Sequence, residues 1–353
     1  MAAFRIIDTG VRQGAANIAF DAALIELHKA GRIPDTIRFL SFVPTALVGR
    51  HQDLSREIRL DYCAAHGIGL ARRITGGGAL YMDEGQFGFE LVFHRRTLGL
   101  SSLSDIAQAL CEAVAAGVST LGVHARFRPR NDIEVDGRKI SGTGGFFDGD
   151  TIIYQGTVLV EMEAAKMLAA LNVPKEKLEK RALDSAASRV VTLAELLGAP
   201  PALDAVKAAL LAGFHEHLGI AAEWGAIGEE EEALARQFHD EEIGTDEFLR
   251  SIDNPAAEGV FTGTHTGAGG TVRAHVRLEG PRSDRLREVL ITGDFFVTPP
   301  RVVLDLEAAL RGTQVSELRQ AVAAFFARAN VGLLSVKPED FAAAIEAAVA
   351  VPA

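Results

Sequence analysis

Two short stretches hold the residue types best suited to chemistry on charged groups. Arg72-Arg73-Ile74-Thr75-Gly76-Gly77-Gly78-Ala79-Leu80-Tyr81-Met82-Asp83 joins two guanidinium groups to a run of backbone without side chains. Asn131-Asp132-Ile133-Glu134-Val135-Asp136-Gly137-Arg138-Lys139-Ile140-Ser141-Gly142-Thr143 places a lysine beside small hydroxyl and glycine residues. Glycines reach positive φ and let backbone N–H groups approach a ligand, so Gly76-Gly77-Gly78 can form a concave donor surface for phosphate oxygens or an acyl carbonyl. An ammonium at Lys139 can neutralise both a carboxylate and the phosphate to which it is being joined. The combination suits a phosphate-bearing acyl intermediate. Singly, neither stretch is specific: a glycine triplet is often only a loop or bulge, and a lysine after a turn is usually a solvated surface charge.

Alternation along a strand predicts that Arg72 and Arg73 face opposite sides, one entering a cleft and the other staying at the surface, and that Tyr81 and Met82 also oppose each other. Cys63 and Cys111 read as buried structural residues, and two cysteines are too few for a disulfide framework or a cysteine-rich zinc site. The histidines show no HExxH spacing, and His215 with His217 would point to different helix faces, so no structural metal is indicated. No Walker phosphate loop or strand-to-helix GxGxxG is present; ATP, if bound, is held by other means.

The elements that must position these groups read as mixed α and β. Strands are expected at Phe4 to Asp8 and Thr36 to Val43, helices at Ala15 to Lys29 and Leu54 to His66, and an extended Gly69 to Arg73 ahead of the glycine loop. Leu103 to Leu121 has helical spacing, and Asp136-Gly137 is a hairpin turn that leaves Lys139 just beyond it. A second hairpin runs from Gly142-Thr143 through Asp148-Gly149-Asp150 to Val160. From Met162 to Glu216 the pattern is mostly helical, broken near Pro174 and at Pro200-Pro201. New strands at Gly259 to Thr264, Thr271 to Leu278 and Glu288 to Gly293 precede helices at Leu304 to Leu310, Val315 to Ala329 and Pro338 to Val349, so a domain boundary is placed near residue 245.

At 353 residues, 48% hydrophobic and 24% charged, the chain is expected to form two globular domains. A net charge of -11 gives no general attraction to nucleic acid, although local arginines and lysines can reverse the sign inside a cleft. Apolar stretches fall well below the roughly 18 residues of a membrane span, and the start lacks signal-peptide character; no membrane insertion and a cytoplasmic location are expected.

The chain resembles the lipoate-protein ligases, within the larger group that includes biotin-protein ligases and octanoyltransferases. The resemblance rests on Arg72-Arg73-Ile74-Thr75-Gly76-Gly77-Gly78-Ala79, on Asn131-Asp132-Ile133 with Gly137-Arg138-Lys139-Ile140-Ser141-Gly142, and on Gln155-Gly156-Thr157-Val158-Leu159. Asn17, Asp21 and Gly49-Arg50-His51-Gln52 fit the family's opening, and Ile291-Thr292-Gly293-Asp294-Phe295-Phe296 looks like the signature of its small accessory domain. The resemblance implies an α+β fold with a largely antiparallel sheet flanked by helices, a catalytic lipoate- and ATP-binding domain over 1–245, and a small α+β accessory domain over 246–353. It implies ATP-dependent activation of lipoate to lipoyl-adenylate, with Mg²⁺, and transfer to a lysine of an acceptor. The acceptor would be a lipoyl domain of a 2-oxoacid dehydrogenase E2, a glycine-cleavage carrier or another lipoate-binding protein.

Carried over by motif, Lys139 is the catalytic residue, touching the lipoyl carbonyl and the α-phosphate. Arg73, Gly77, Gly78, Ala79, Leu80, Tyr81, Asn131, Asp132, Ser141, Gly142, Gln155, Gly156 and Thr157 contact the nucleotide and acyl group. Many relatives carry histidine where this chain has Met82 and Gln155, which points to a different acyl pocket or acceptor preference. An octanoyl- or lipoyl-transferase working through a cysteine thioester, a biotin ligase and a non-catalytic lipoyl-binding protein are the competing readings.

Overall fold

A run such as Thr36-Ile37-Arg38-Phe39-Leu40-Ser41-Phe42, buried at every position, belongs in the middle of a sheet covered on both faces. The computed structural model describes residues 2–350 apart from 101, 130, 173–188, 268, 330 and 334. Its elements are β1 (Ala2–Arg12), α1 (Gly14–Lys29), β2 (Thr36–Phe42), β3 (Thr45–Val48), α2 (Leu54–Glu57), α3 (Leu60–Ala65), β4 (Gly69–Arg72), β5 (Leu80–Met82), β6 (Gln86–His94), α4 (Leu103–Ser119), β7 (Arg126–Arg128), β8 (Asp132–Val135), β9 (Arg138–Asp148) and β10 (Thr151–Leu159). They continue with α5 (Ala164–Ala170), α6 (Leu193–Leu197), α7 (Leu203–Leu218), β11 (Ile220–Trp224), α8 (Glu229–Phe238), α9 (Asp246–Leu249), β12 (Phe261–Gly267), β13 (Gly270–Glu279), β14 (Arg285–Gly293), β15 (Val297–Thr298), α10 (Val302–Ala309), α11 (Leu318–Arg328), β16 (Gly332–Leu333) and α12 (Pro338–Val349).

The chain divides into two compact units. The first comprises Met1–Leu47, Ile58–Arg72 and Leu80–Leu249; the second comprises Val48–Glu57, Arg73–Ala79 and Arg250–Ala353.

In the first unit, eight strands form one sheet in the order β11-β1-β2-β6-β10-β9-β8-β7. β1 runs parallel to β11 and β2, and every other pairing is antiparallel. Helix α1 covers one face: its Asp21 and Asn17 reach side chains of β2 and β10. Helix α4 covers the other, with Cys111 against Thr143 of β9 and Tyr154 of β10, and it packs against α7. Ser102 starts α4 by accepting the Asp105 N–H at 3.0 Å, satisfying one of the amides a helix end leaves open.

The second unit holds an antiparallel sheet β12-β13-β14 backed by α12. Its core includes Val272, Ile291, Phe295, Leu306, Phe341 and Ile345. The mixed fold with a largely antiparallel sheet and a second sheet-and-helix module is as expected.

Several expectations need correction. Leu54 to His66 is two short helices, because an extended link and the Ile58↔Leu171 bridge interrupt it. Val315–Glu317 is a 3₁₀ turn, so the following helix begins at Leu318. β3 and β11 were not anticipated; each is a short run whose strand character comes from a partner distant in sequence, such as Ala2↔Ile220. The break near Pro174 lies outside the described residues.

Candidate active site

The backbone around Lys139 explains how its ammonium comes to face Asp132. Asp136 (φ 50°) and Gly137 (φ 79°) both occupy the left-handed region, the requirement of a tight two-residue hairpin turn joining β8 to β9. Pairing then runs Val135↔Arg138 and Glu134↔Lys139 before the register shifts to Ile133↔Ser141 and Asp132↔Gly142. Ile140 is the extra residue of a β-bulge. Residues 139 and 142 would otherwise fall on opposite faces; the bulge restores the phase and turns the lysine toward the face of Gly142. The main chain of Lys139 is pinned by Lys139 N–H to Arg189 O (2.8 Å) and Val191 N–H to Lys139 O (2.9 Å).

Lys139 Nζ lies 2.7 Å from Asp132 Oδ1, and Arg128 binds the other carboxylate oxygen at 2.7 Å. Burial pushes the Asp132 carboxyl up, but the Lys139 and Arg128 charges outweigh it and hold the group below the ordinary range. Beneath the amine is Gly142, where an added Cβ would sit 2.5 Å from Nζ. Asn131 is tied to Thr143: the Thr143 N–H donates to Asn131 O at 2.9 Å, and Asn131 Nδ2 donates to Thr143 O.

Directly opposed residues of antiparallel strands share a face, so the register defines rows across the sheet. One row is Asp132, Gly142, Thr157 and Gly88. The next on that face is Gly144, Gln155, Glu90 and Arg38. Along β10, Gln155, Thr157 and Leu159 are partly exposed while their neighbours are buried, so this face is open over β10. Ser141 and Gly156 alternate to the opposite face, which carries Cys111 and Tyr154.

Gln155 belongs to a buried polar cluster. Its Nε2 donates to Asp21 (2.7 Å) and Glu90 (2.9 Å). Arg38 donates from Nη1 to Asp21 (2.6 Å), from Nη2 to Asn17 Oδ1 (2.6 Å) and from Nε to Thr9 (3.0 Å), and its guanidinium also lies over the Phe20 ring. Burial, then the neighbouring Asp21 carboxylate, drive Glu90 well above the ordinary range; burial raises Asp21 as well. Glu90 Oε1 is buried with no hydrogen-bond partner among the described residues. Arg38 and Glu90 were missed at the sequence level. Their signal was a charged residue inside the otherwise apolar runs of β2 and β6, where burial demands a partner.

In the second unit the glycine loop is built against the segment Gly293–Phe296. Gly77 N–H donates to Phe295 O at 3.1 Å, and Gly293 N–H donates to His51 O at 2.9 Å. The His51 and Phe295 rings stack with centroids 5.2 Å apart. Gly77 has φ 92°, and a Cβ there would lie 2.5 Å from the Phe296 ring, so both conformation and space demand glycine.

Arg73 Nη2 donates to the carbonyls of Gly76 and Gly78, each at 2.9 Å, which shapes the loop from within. Its Nη1 is buried without a hydrogen-bond partner among the described residues, and burial lowers the group to about 10. Such an orphaned donor fits an incoming phosphate oxygen.

The expectation that one of Arg72 and Arg73 stays at the surface is wrong: they are 0% and 8% exposed. Arg72 is buried in the first unit because its Nε meets the carbonyls of Phe248 and Leu249 at 3.2 and 3.0 Å. Leu80 is 38% exposed, whereas Tyr81 and Met82 are buried on β5 opposite Ala46 and Thr45. Burial with the nearby Asp83 pushes the Tyr81 hydroxyl up to about 12.

Residues 13–215 match the family model described as lipoyl protein ligase A/B catalytic domain. The chain belongs to this family. Among curated relatives, the octanoyltransferase LipM of Halalkalibacterium halodurans is 28% identical over 272 residues, 70% of this chain and 99% of that one. Lipoate-protein ligase A subunit 1 of Thermoplasma acidophilum is 30% identical over 242 residues, 66% of this chain and 90% of that one. A solved structure of the bi-partite lipoate protein ligase from Thermoplasma acidophilum, described with its E2 lipoyl domain, has a TM-score of 0.65 at 27% identity and covers 71% of this chain and 98% of that one. Lipoate-protein ligase A bound with ATP has a TM-score of 0.62 at 26% identity and covers 71% of this chain and 99% of that one. The matched residues of this lipoyl protein ligase A/B family member include Lys139, the glycine loop and Gln155.

Proposed function

We propose that the chain is an ATP-dependent lipoate-protein ligase. The observation that carries this reading is Lys139, its ammonium held by Asp132 at 2.7 Å above the glycine floor of an open sheet face. In the first step the lipoate carboxylate attacks the α-phosphorus of ATP, forming the acyl–phosphate bond and releasing pyrophosphate. Two anions must approach, so a cation that turns from Asp132 to both lowers the barrier; losing one such charge-stabilising group costs on the order of 10²–10³ in rate. Mg²⁺, expected with ATP, would supply further neutralising charge at the phosphates. In the second step the neutral amine of an acceptor lysine attacks the acyl carbonyl and AMP leaves, with Lys139 neutralising the departing phosphate. A lipoyl domain is the proposed acceptor, in keeping with the E2 lipoyl domain named with the Thermoplasma acidophilum ligase.

The second reading is an octanoyltransferase, favoured by the LipM relatives. Passing the acyl group through a thioester needs an accessible, activated thiolate. Cys63 and Cys111 are each 0% exposed, and burial raises both thiols above their ordinary value. The Cys63→Ser, Cys111→Ser double variant should retain acyl transfer per folded molecule; loss of transfer with a normal unfolding curve would favour the thioester route.

ATP–pyrophosphate exchange tests the ligase reading directly. Exchange that requires lipoate and disappears in Lys139→Ala supports it. No exchange with any acyl acid rejects it.

A further inference from the structure

The Asp132 carboxylate carries one cation on each oxygen. Lys139 Nζ takes Oδ1 and Arg128 Nη2 takes Oδ2, both at 2.7 Å. β7 pairs with β8 so that Arg128 opposes Asp132 and Arg126 opposes Glu134, which extends the Asp132–Gly142–Thr157 row to the edge of the sheet. Arg126 grips Glu134 through Nε and Nη2 at 2.8 and 2.7 Å, whereas Arg128 reaches it only at 3.3 Å. Glu134 is thus served by Arg126, which leaves Arg128 to serve Asp132. Along this ladder three cations meet two carboxylates, and the cation at its inner end is Lys139.

A lysine that meets incoming anions has to leave the carboxylate that holds it. The Asp132 side chain is only 23% exposed, and a carboxylate so placed is costly to strip of its sole cation. Here it is not stripped. Because the two cations occupy different oxygens, the lysine can depart without displacing the arginine. Arg128 also draws on the same negative charge, which loosens the hold on the ammonium.

We propose that Arg128 is a positioning residue that compensates the Asp132 carboxylate when Lys139 leaves it, so that the lysine is free to meet the anionic groups of the substrates. This rests on the reading that Lys139 acts on the acyl and phosphate groups, and it extends that reading to the carboxylate left behind. Burial by itself would raise the Asp132 carboxyl, and the two cations together hold it below its ordinary value. Arg128 has to hold it there alone once the lysine is gone. A residue that merely pinned β7 to β8 would have no such effect.

Carbon-13 NMR titration of the Asp132 carboxyl in the full chain tests this. In Lys139→Gln, which reproduces the departure of the ammonium, Asp132 should stay at or below its ordinary 3.8. Adding Arg128→Gln leaves burial unopposed by either cation, and the group should move above 3.8. With Lys139 in place, Arg128→Gln should lower kcat/KM for lipoate-dependent pyrophosphate exchange about tenfold. Arg128→Lys, which keeps the charge, should recover most of that loss, and both variants should unfold near the wild-type midpoint. Asp132 rising above 3.8 in Lys139→Gln while Arg128 is intact would overturn the proposal. So would full exchange by folded Arg128→Gln, or no recovery by folded Arg128→Lys. If Asp132 titrates as expected and the wild-type protein shows no exchange, the ligase reading falls; the same tenfold loss is then expected in acyl transfer, and its absence overturns the role of Arg128 as well.

Discussion

Lys139 and Asp132 meet at 2.7 Å because a single extra residue, Ile140, rotates the lysine onto the carboxylate's face of the sheet. The contact has an acid-range signature. Asp132 titrates below its ordinary value of 3.8, since Lys139 and Arg128 outweigh the effect of burial. A carboxyl lowered on folding adds stability above its unfolded pKa and loses it as pH falls through the folded pKa. Asp132→Asn should therefore unfold earlier than wild type at neutral pH, with the gap closing below the ordinary carboxylate range. Parallel curves of unfolding midpoint against pH would contradict this.

Gly142 separates folding from chemistry. A Cβ there would fall 2.5 Å from Lys139 Nζ and 2.6 Å from Cε, the free end of a flexible side chain. The amine can move aside at little cost to the fold, but misplacing it by about an ångström costs on the order of 10²-fold in rate. Gly142→Ala should keep a near-wild-type unfolding midpoint and lose acyl-dependent pyrophosphate exchange by that factor.

Two glycines of the loop should respond to very different extents. At Gly76 a Cβ would lie 2.2 Å from the Phe295 carbonyl oxygen, which is backbone and cannot rotate away, whereas at Gly78 the nearest atom is Asp294 Cβ at 3.9 Å. Gly76→Ala is expected to cost about 1–3 kcal/mol of stability. Gly78→Ala should leave denaturant midpoints nearly unchanged. Equal effects would mean that the loop does not pack on Phe295 as described.

Glu307 makes the second unit sensitive to neutral pH. Burial raises its carboxyl from 4.5 to about 7, although the Ile291 N–H donates to it at 2.6 Å. A carboxyl raised on folding contributes stability that is complete below the unfolded pKa and is lost as pH rises through the folded one. Wild-type stability should fall by on the order of 2–3 kcal/mol between pH about 4.5 and 7 from this group, and Glu307→Gln should flatten that limb. A decline of the same size in the variant would assign the effect elsewhere.

The parts of the fold legible in the sequence were those written in adjacent residues. Asp136-Gly137 announces its turn because few other residues tolerate two successive positive φ values, and the apolar spacing of Leu103 to Leu121 marks α4 to within two residues at its end. The bulge at Ile140 was not legible, since it is a register relation with Ile133 and Glu134. Arg72 misled because alternation assigns a face but says nothing of what covers it; its cover is the carbonyls of Phe248 and Leu249. Gln155 was picked out by its motif, while its partners Asp21, Arg38 and Glu90 come from three other elements and only the sheet brings them together.

The bond from the Gly77 amide to the Phe295 carbonyl joins residues roughly 220 positions apart, and this gives the glycine loop an unusual history on the ribosome. At elongation rates of about 5–20 residues per second, the loop emerges on the order of ten to forty seconds before its partner is made. The loop reaches its final shape only after Phe295 has been synthesised.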